Sequence, residues 1–383
     1  MKLFSNLFRL SLIVCCLLGS MAWVAAANEP IQILHTFTDG LDGANPQGPP
    51  IVAKDGSFWG TAYYGGKYGY GCVYAIINGT FNTVFSFDYS TTGGYPIGSL
   101  IQGADGNFYG TTYEGGLNGY GTVFKLTPQL KFTVLASFDY TTMGGYLYAP
   151  VIQGTDGNLY GTAYQGGPNS YGTVYQIILS TGVFHRLKAF NSTNGAYPTG
   201  ALVQGSDGKF YGTASSGGNG YGTVFQITST GAFNTIHKFN STKGAYPYTG
   251  LAEGPDRNFY GDTYEGGTGD YGVVFKITPG GTFTVLANFD YSTTGAYPYL
   301  GRLWVDGSGN LYGNAYEGGV NGYGTVFWCT PNGKLTPLTS FGGGNGGGAP
   351  YGGVTLANDG YFYGTTNYAN DTSGYGILYR VAK

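Results

Sequence analysis

The chain has 383 residues, with 17 Lys and Arg against 20 Asp and Glu, a formal net charge of −3 and only 10% charged residues. The basic residues are scattered and form neither a stripe nor a polybasic cluster, so the footprint that nucleic acid or an anionic membrane surface requires is missing. Its 72 glycines would suit low complexity, yet 17% aromatic and 42% hydrophobic residues are enough to fill a core, which argues against disorder.

The first 27 residues differ in kind from the rest. Lys2 and Arg9 give a positive start, residues 10–18 are largely apolar, and small residues gather at Ala25, Ala26 and Ala27. This pattern predicts a secretory signal over 1–27, cut near Ala27, and a mature chain over 28–383. A membrane anchor is the alternative, but Ser11, Gly19 and Ser20 interrupt the run before the ~20 residues a span needs. Cys15 and Cys16 leave with the signal, and Val14 before Cys15 does not suit lipid attachment. No other apolar run is long enough, so no membrane span is expected after signal removal.

Self-similarity then dominates the chain. The phrase Asp105-Gly-Asn-Phe-Tyr-Gly-Thr-Thr returns in variants that begin at Asp55, Asp156 and Asp207, and more loosely at Asp256, Ser308 and Asp359. The glycine after the aromatic falls at 60, 110, 161, 212, 261, 313 and 364, a period of about 51 that accounts for nearly all of the mature chain. Each copy reads as four short strands; in the second they are 97–102, 107–113, 121–127 and 132–138. Asp-Gly, Gly-Gly and Thr-Pro turns divide them, and no segment has a helical period. Adjacent apolar pairs such as Val123-Phe124 suit a sheet covered on both faces.

The termini predict closure. The last copy ends after its third strand, 376–381, while residues 31–37 match the missing fourth strand. Pairing the two ends would remove an exposed sheet edge. The expected fold is therefore all-β, a seven-bladed β-propeller of four-stranded blades whose ring is closed by an N-terminal strand completing the last blade; a β-solenoid is the alternative.

The phrase Tyr120-Gly-Thr-Val-Phe-Lys-Leu-Thr-Pro128 recurs at Tyr171, Tyr221 and Tyr271. Joined to the Asp-Gly-Asn-Phe-Tyr-Gly-Thr-Thr phrase, it resembles the bacterial GloVer tandem repeat, named for Gloeobacter and Verrucomicrobia, over essentially the whole mature chain. The resemblance implies an exported bacterial protein, secreted, periplasmic or held at the cell surface, and supplies no catalytic residues. Family members carry varied anchors, whereas this chain ends directly on its last strand, which suggests a released or periplasmic form. Kelch repeats have a similar period, but the tryptophan expected after the kelch tyrosine is missing in most copies.

Loops of an up-and-down blade alternate between the two ends of the ring, so those after the second and fourth strands share one face. These are the longest loops, of the types 113–120 and 139–146, and long loops on a rigid scaffold are where binding residues concentrate. Glu114, Gln165, Glu265 and Glu317 hold one equivalent position there, and Tyr95, Tyr146, Tyr197, Tyr246 and Tyr297 another. Rings flanked by carboxylates and amides suit a glycan, although a tyrosine in every copy also suits packing between blades. Asp55, Asp105, Asp156 and Asp207 read as turn residues, and Asp88, Asp139 and Asp290 as caps of their own loops.

Chemistry would need asymmetry, and the departures from the repeat cluster in the fifth and sixth copies. Asp262 replaces the usual Thr, Asp270 sits in the following loop, and Arg302 stands where other copies have Ser99, Ala201 or Gly250. These are the weak catalytic candidates, with a structural ion pair or drift of the repeat as the bland reading. His35, His185 and His237 fall on fourth strands of different blades and cannot converge, so no metal site is expected, and no cofactor. Cys72 and Cys329 lie too far apart around the ring to pair, and burial is expected for both. The expected function is a monomeric, non-enzymatic module that binds a glycan or an envelope or extracellular protein through the Tyr/Gly-rich face. A secreted polysaccharide hydrolase or lyase and a structural or adhesive surface protein are the alternatives.

Overall fold

Each copy of the repeat folds as one up-and-down sheet because its apolar strands are separated by turns that tolerate left-handed backbone. In the computed structural model, which describes residues 30–343, 346–368 and 374–383, seven four-stranded antiparallel sheets form and no α-helix is present among those residues. The first is β2 (Ile51–Val52), β3 (Phe58–Ala62), β4 (Cys72–Ile77) and β5 (Thr80–Ser86), running outward in that order. The second is β6 (Ile101–Gln102), β7 (Phe108–Thr112), β8 (Thr122–Leu126) and β9 (Phe132–Ser137). The predicted signal segment, 1–27, lies outside the described residues.

The repeated phrase has a physical reading residue by residue. Asp105 Oδ1 accepts the Asn107 N–H at 3.1 Å, and its Oδ2 accepts the Tyr109 hydroxyl at 2.7 Å, so it is a turn residue as expected. The aromatic pair stacks between blades, with Trp59 on Phe108 at 4.0 Å, Tyr160 on Phe210 at 4.0 Å and Tyr211 on Phe259 at 3.9 Å. Gly110 faces Phe124 across the pair, and a Cβ there would sit 2.5 Å from Phe124 Cζ. The glycine is thus the slot for an aromatic of the third strand. The threonine then bolts one blade to the next: Thr61 donates to Gly98 O (3.2 Å), Thr111 to Ala149 O (3.0 Å) and Thr213 to Thr249 O (2.7 Å). In the family phrase, Gly121 has φ +99, and a Cβ would meet Thr112 O at 2.5 Å.

Seven apolar clusters result, one at each interface between adjacent blades. The first joins Trp59, Val73 and Phe87 to Leu100, Phe108 and Phe124. The closing one joins Phe37 and Leu378 to Ala62, Cys72 and Tyr74. Each fully buried large side chain contributes roughly 1.5–3 kcal/mol, so stability is spread around the ring. Closure follows the predicted route. β1 (Gln32–Thr36) pairs antiparallel with β28 (Ile377–Ala382), outside β27 (Tyr361–Thr366) and β26 (Thr355–Leu356). Thr365 then donates to Gly48 O (3.2 Å) across the seam to the first blade.

Two details differ from the sequence reading. Inner strands are shorter than predicted; only Ile101–Gln102 pairs, not 97–102. Carbonyls of the preceding stretch are turned toward the neighbouring blade, where the threonine bolts use them. In the sixth copy the turn aspartate is Asp306, whose Oδ1 accepts the N–H groups of Ser308 and Asn310, both at 2.9 Å, so the phrase does not begin at Ser308. Cys72 and Cys329 are unpaired and buried, as expected.

Candidate functional site

The loops after second and fourth strands do meet on one face. Residues at the equivalent loop positions form short antiparallel bridges between blades: Gly94 with Glu114, Gly145 with Gln165, Ala245 with Glu265 and Ala296 with Glu317. The backbone of these acidic or amide residues is therefore structural, while their side chains remain half-buried among tyrosines.

Tyr95, Tyr146, Tyr197, Tyr246 and Tyr297 all have left-handed backbone, with φ of 59, 62, 57, 55 and 57°. Such a conformation is uncommon for a bulky residue and persists only when its surroundings enforce it. Here each N–H donates to a carbonyl of the preceding blade, as Tyr95 to Tyr70 O (2.8 Å) and Tyr297 to Tyr271 O (3.0 Å). The rings pack on the adjoining loop, Tyr63 with Tyr95 at 5.2 Å, Tyr113 with Tyr146 at 5.2 Å and Tyr264 with Tyr297 at 5.1 Å. These tyrosines thus pack between blades and still present a half-buried ring edge to the face.

A pocket of about 330 Å3 opens on this face between the sixth and seventh blades. Tyr291, Tyr316, Tyr323 and Tyr368 surround Glu317 in it. Farther round, Glu265 is held above the usual carboxylate range by burial and then by the charge of Asp270.

A second set of tyrosines, which the sequence reading missed, forms a collar where the face meets the central channel. Tyr148 lies 5.0 Å from Tyr113 and 4.8 Å from Tyr164; Tyr299 lies 5.1 Å from Tyr248 and 5.0 Å from Tyr351. Burial, then the neighbouring phenols, raises the pKa of Tyr248 to about 12 and moves Tyr148 and Tyr299 in the same direction. The collar therefore offers neutral hydroxyls at any physiological pH. Its signal was the second tyrosine of Tyr-Pro-Tyr at 248 and 299, matched by Tyr-Leu-Tyr at 148 and Ala-Pro-Tyr at 351, which does not recur in every copy.

The three catalytic candidates occupy three environments. Asp262 is buried in the second strand of its blade, at the threonine-bolt position. Asp270 lies on the tyrosine face, where its Oδ1 accepts the Gly266 N–H at 2.9 Å. Arg302 projects into the central channel, accessible to water yet ringed by the wall, and that enclosure pulls its pKa below the ordinary guanidinium value. No ion pair among the described residues links one of the three to another.

His35, His185 and His237 lie on different outer strands, and no group of three metal-ligating side chains occurs among the described residues. His35 pairs with Asp42 at 3.0 Å, and burial, then Lys243, lowers the His237 pKa to about 4. No helix among the described residues is long and apolar enough to cross a membrane.

Three solved structures are similar in fold. TolB from Acinetobacter baumannii is 16% identical with a TM-score of 0.40, covering 69% of this chain and 60% of its own. A luciferin-regenerating enzyme is 11% identical with a TM-score of 0.48, covering 93% and 96%. A putative 6-phosphogluconolactonase from Bacteroides uniformis is 15% identical with a TM-score of 0.50, covering 75% and 82%. At these identities the likeness is one of fold alone. No curated protein matches the chain. The Gloeobacter/Verrucomicrobia repeat matches residues 19–219 and 199–383, spanning every blade, and the chain belongs to that family.

Proposed function

We propose that this protein is an exported, non-enzymatic binding module that takes a glycan on its tyrosine-rich face. The observation that carries the reading is the pocket around Glu317, where Tyr323 and Tyr368 remain 52% and 49% exposed. An exposed phenol ring offers a flat apolar surface to the C–H face of a pyranose, and its hydroxyl stays in water. The neighbouring carboxylate accepts hydrogen bonds from sugar hydroxyls. Such a site suits a neutral polar ligand with one apolar side. Export rests on the composition of residues 1–27 and on the family's repeat, and it is compatible with two thiols that burial holds at a pKa of about 12, far from the reactive thiolate form.

The test is a glycan array probed with the mature chain, followed by titration of any hit with Tyr323→Ala and Glu317→Gln. Loss of one stacking ring is expected to weaken binding about fivefold, from the roughly 1 kcal/mol such a contact contributes. A silent array with capture of an envelope protein through the same tyrosines would replace the glycan by a protein partner. Shortened polymer would replace the binding module by an enzyme.

A further inference from the structure

One guanidinium stands in the central channel, at a position where the repeat places nothing ionisable. The channel encloses a cavity of about 540 Å3 walled by inner-strand residues from around the ring. Arg302 lies two residues before its inner strand, and the corresponding residues of the other blades are Pro49, Ser99, Pro150, Ala201, Gly250 and Gly353. Arg302 takes part in none of the ion pairs among the described residues, and its guanidinium makes no hydrogen bond to any of them. Among the described residues, no Asp or Glu lines the cavity. Its other cation, Lys54, is occupied at the rim, where Nζ donates to Gly103 O (3.1 Å) and Ala104 O (3.2 Å).

Arg302 stands exposed to the water of the channel without a counter-charge, although the chain has carboxylates in excess with which it could have been paired. A planar guanidinium left open to a cavity matches a carboxylate in bidentate geometry. Charge selects the anion: one guanidinium neutralises one carboxylate, whereas a phosphate dianion would leave a surplus negative charge in the enclosure. The rest of the wall describes the ligand's body. Gln47, Thr355 and Tyr148 bring amide and hydroxyl groups, and Ile51, Ile97 and Trp304 bring apolar surface. The volume lies in the ordinary range for small-molecule sites.

We propose that the central channel binds a small carboxylate-bearing ligand of the size and polarity of a sugar acid, its carboxylate held by Arg302. This site shares no lining residue with the tyrosine-face pocket, so it stands or falls independently of the glycan reading.

Calorimetric titration of the mature chain with sodium glucuronate tests it, with glucose as the neutral counterpart and inorganic phosphate as the dianion. Saturable glucuronate binding is expected, with none for glucose. Arg302→Ser should weaken glucuronate at least about tenfold, the scale of one charge-assisted contact, and Arg302→Lys should fall between. Serine is the second blade's own residue at this position, so the variant should fold, and the glucuronate–glucose comparison on the wild type needs no variant. Equal affinity in wild type and Arg302→Ser, no glucuronate heat at millimolar concentration, or tighter binding of phosphate would each overturn the proposal.

Discussion

Replacing Asp262 by asparagine tests how the blades are bolted together. At this position Thr61, Thr111, Thr213 and Thr365 each donate a hydroxyl to a carbonyl of the next blade, and Asn314 donates its Nδ2 to Gly352 O at 2.6 Å. An ionised aspartate cannot donate. Asp262 is only 3% exposed, its Oδ1 has no partner among the described residues, and burial raises its pKa from 3.8 to about 7, against smaller opposing effects of Thr249 and its own backbone. Because the folded pKa lies above the unfolded one, the native state holds the proton more tightly. The contribution of Asp262 to stability is therefore greatest below about pH 4, falls as pH rises toward 7, and levels off above it. The full loss is about 4 kcal/mol, from about 1.4 kcal/mol for each tenfold change in acidity. The asparagine side chain cannot titrate, and its amide is a donor at the position where Asn314 bonds to a carbonyl of the next blade. Asp262→Asn is thus expected to flatten the pH profile. With unfolding entropy of about 2 cal/mol/K per residue, its advantage over wild type should grow by about 3 to 4 °C in Tm between pH 5 and pH 8. Differential scanning calorimetry across that range reads this directly. Parallel wild-type and variant profiles would refute the buried, partnerless carboxyl.

Two further predictions concern the ring itself. The Tyr175 hydroxyl is buried without a partner in a slot that Phe124, Phe225, Phe275 and Phe327 fill in other blades, so Tyr175→Phe should stabilise the chain by about 1 kcal/mol. A lower urea midpoint in the variant would show that the hydroxyl is partnered. Removing residues 30–37 would strip β1 from β28 and leave a free sheet edge, and self-association with a lower Tm is expected by size-exclusion chromatography and thermal unfolding. A monomer with an unchanged Tm would mean that the seam contributes nothing.

The architecture was legible because it is written seven times. A residue that must meet the same neighbour at every interface recurs at a fixed spacing, and Gly60, Gly110 and Gly161 announce the blade before any strand is assigned. The repeat carries more than its glycines. Gln102, Gln153, Gln204 and Glu253 also recur, and their side chains accept N–H groups of the preceding blade's turn, as Gln102 Oε1 does from Lys54 N at 2.8 Å. The tyrosine collar was harder, since Gln47, Ile97 and Thr199 stand where Tyr148, Tyr248, Tyr299 and Tyr351 make it. Periodicity is blind to a feature built in only four copies of seven.

The same limit explains why Asp262 and Arg302 were found but grouped as one candidate site. A break in a repeat shows that a position differs; it does not show which way that position faces. The Thr61 series points into the blade interface, so an aspartate there answers to packing and pH. The Pro49 series points to the axis, so an arginine there answers to whatever enters the channel. Leu300 adds one residue before Arg302, and at this point the Gly250 N–H bonds to Gly301 O and Gly250 bridges Arg302. A ring of seven equal blades repeats each site on its face seven times and offers at its axis only a site that all seven share alike. A single substitution beside an inner strand is enough to break that equality, and among the described residues the only such charge directed at the open cavity is Arg302.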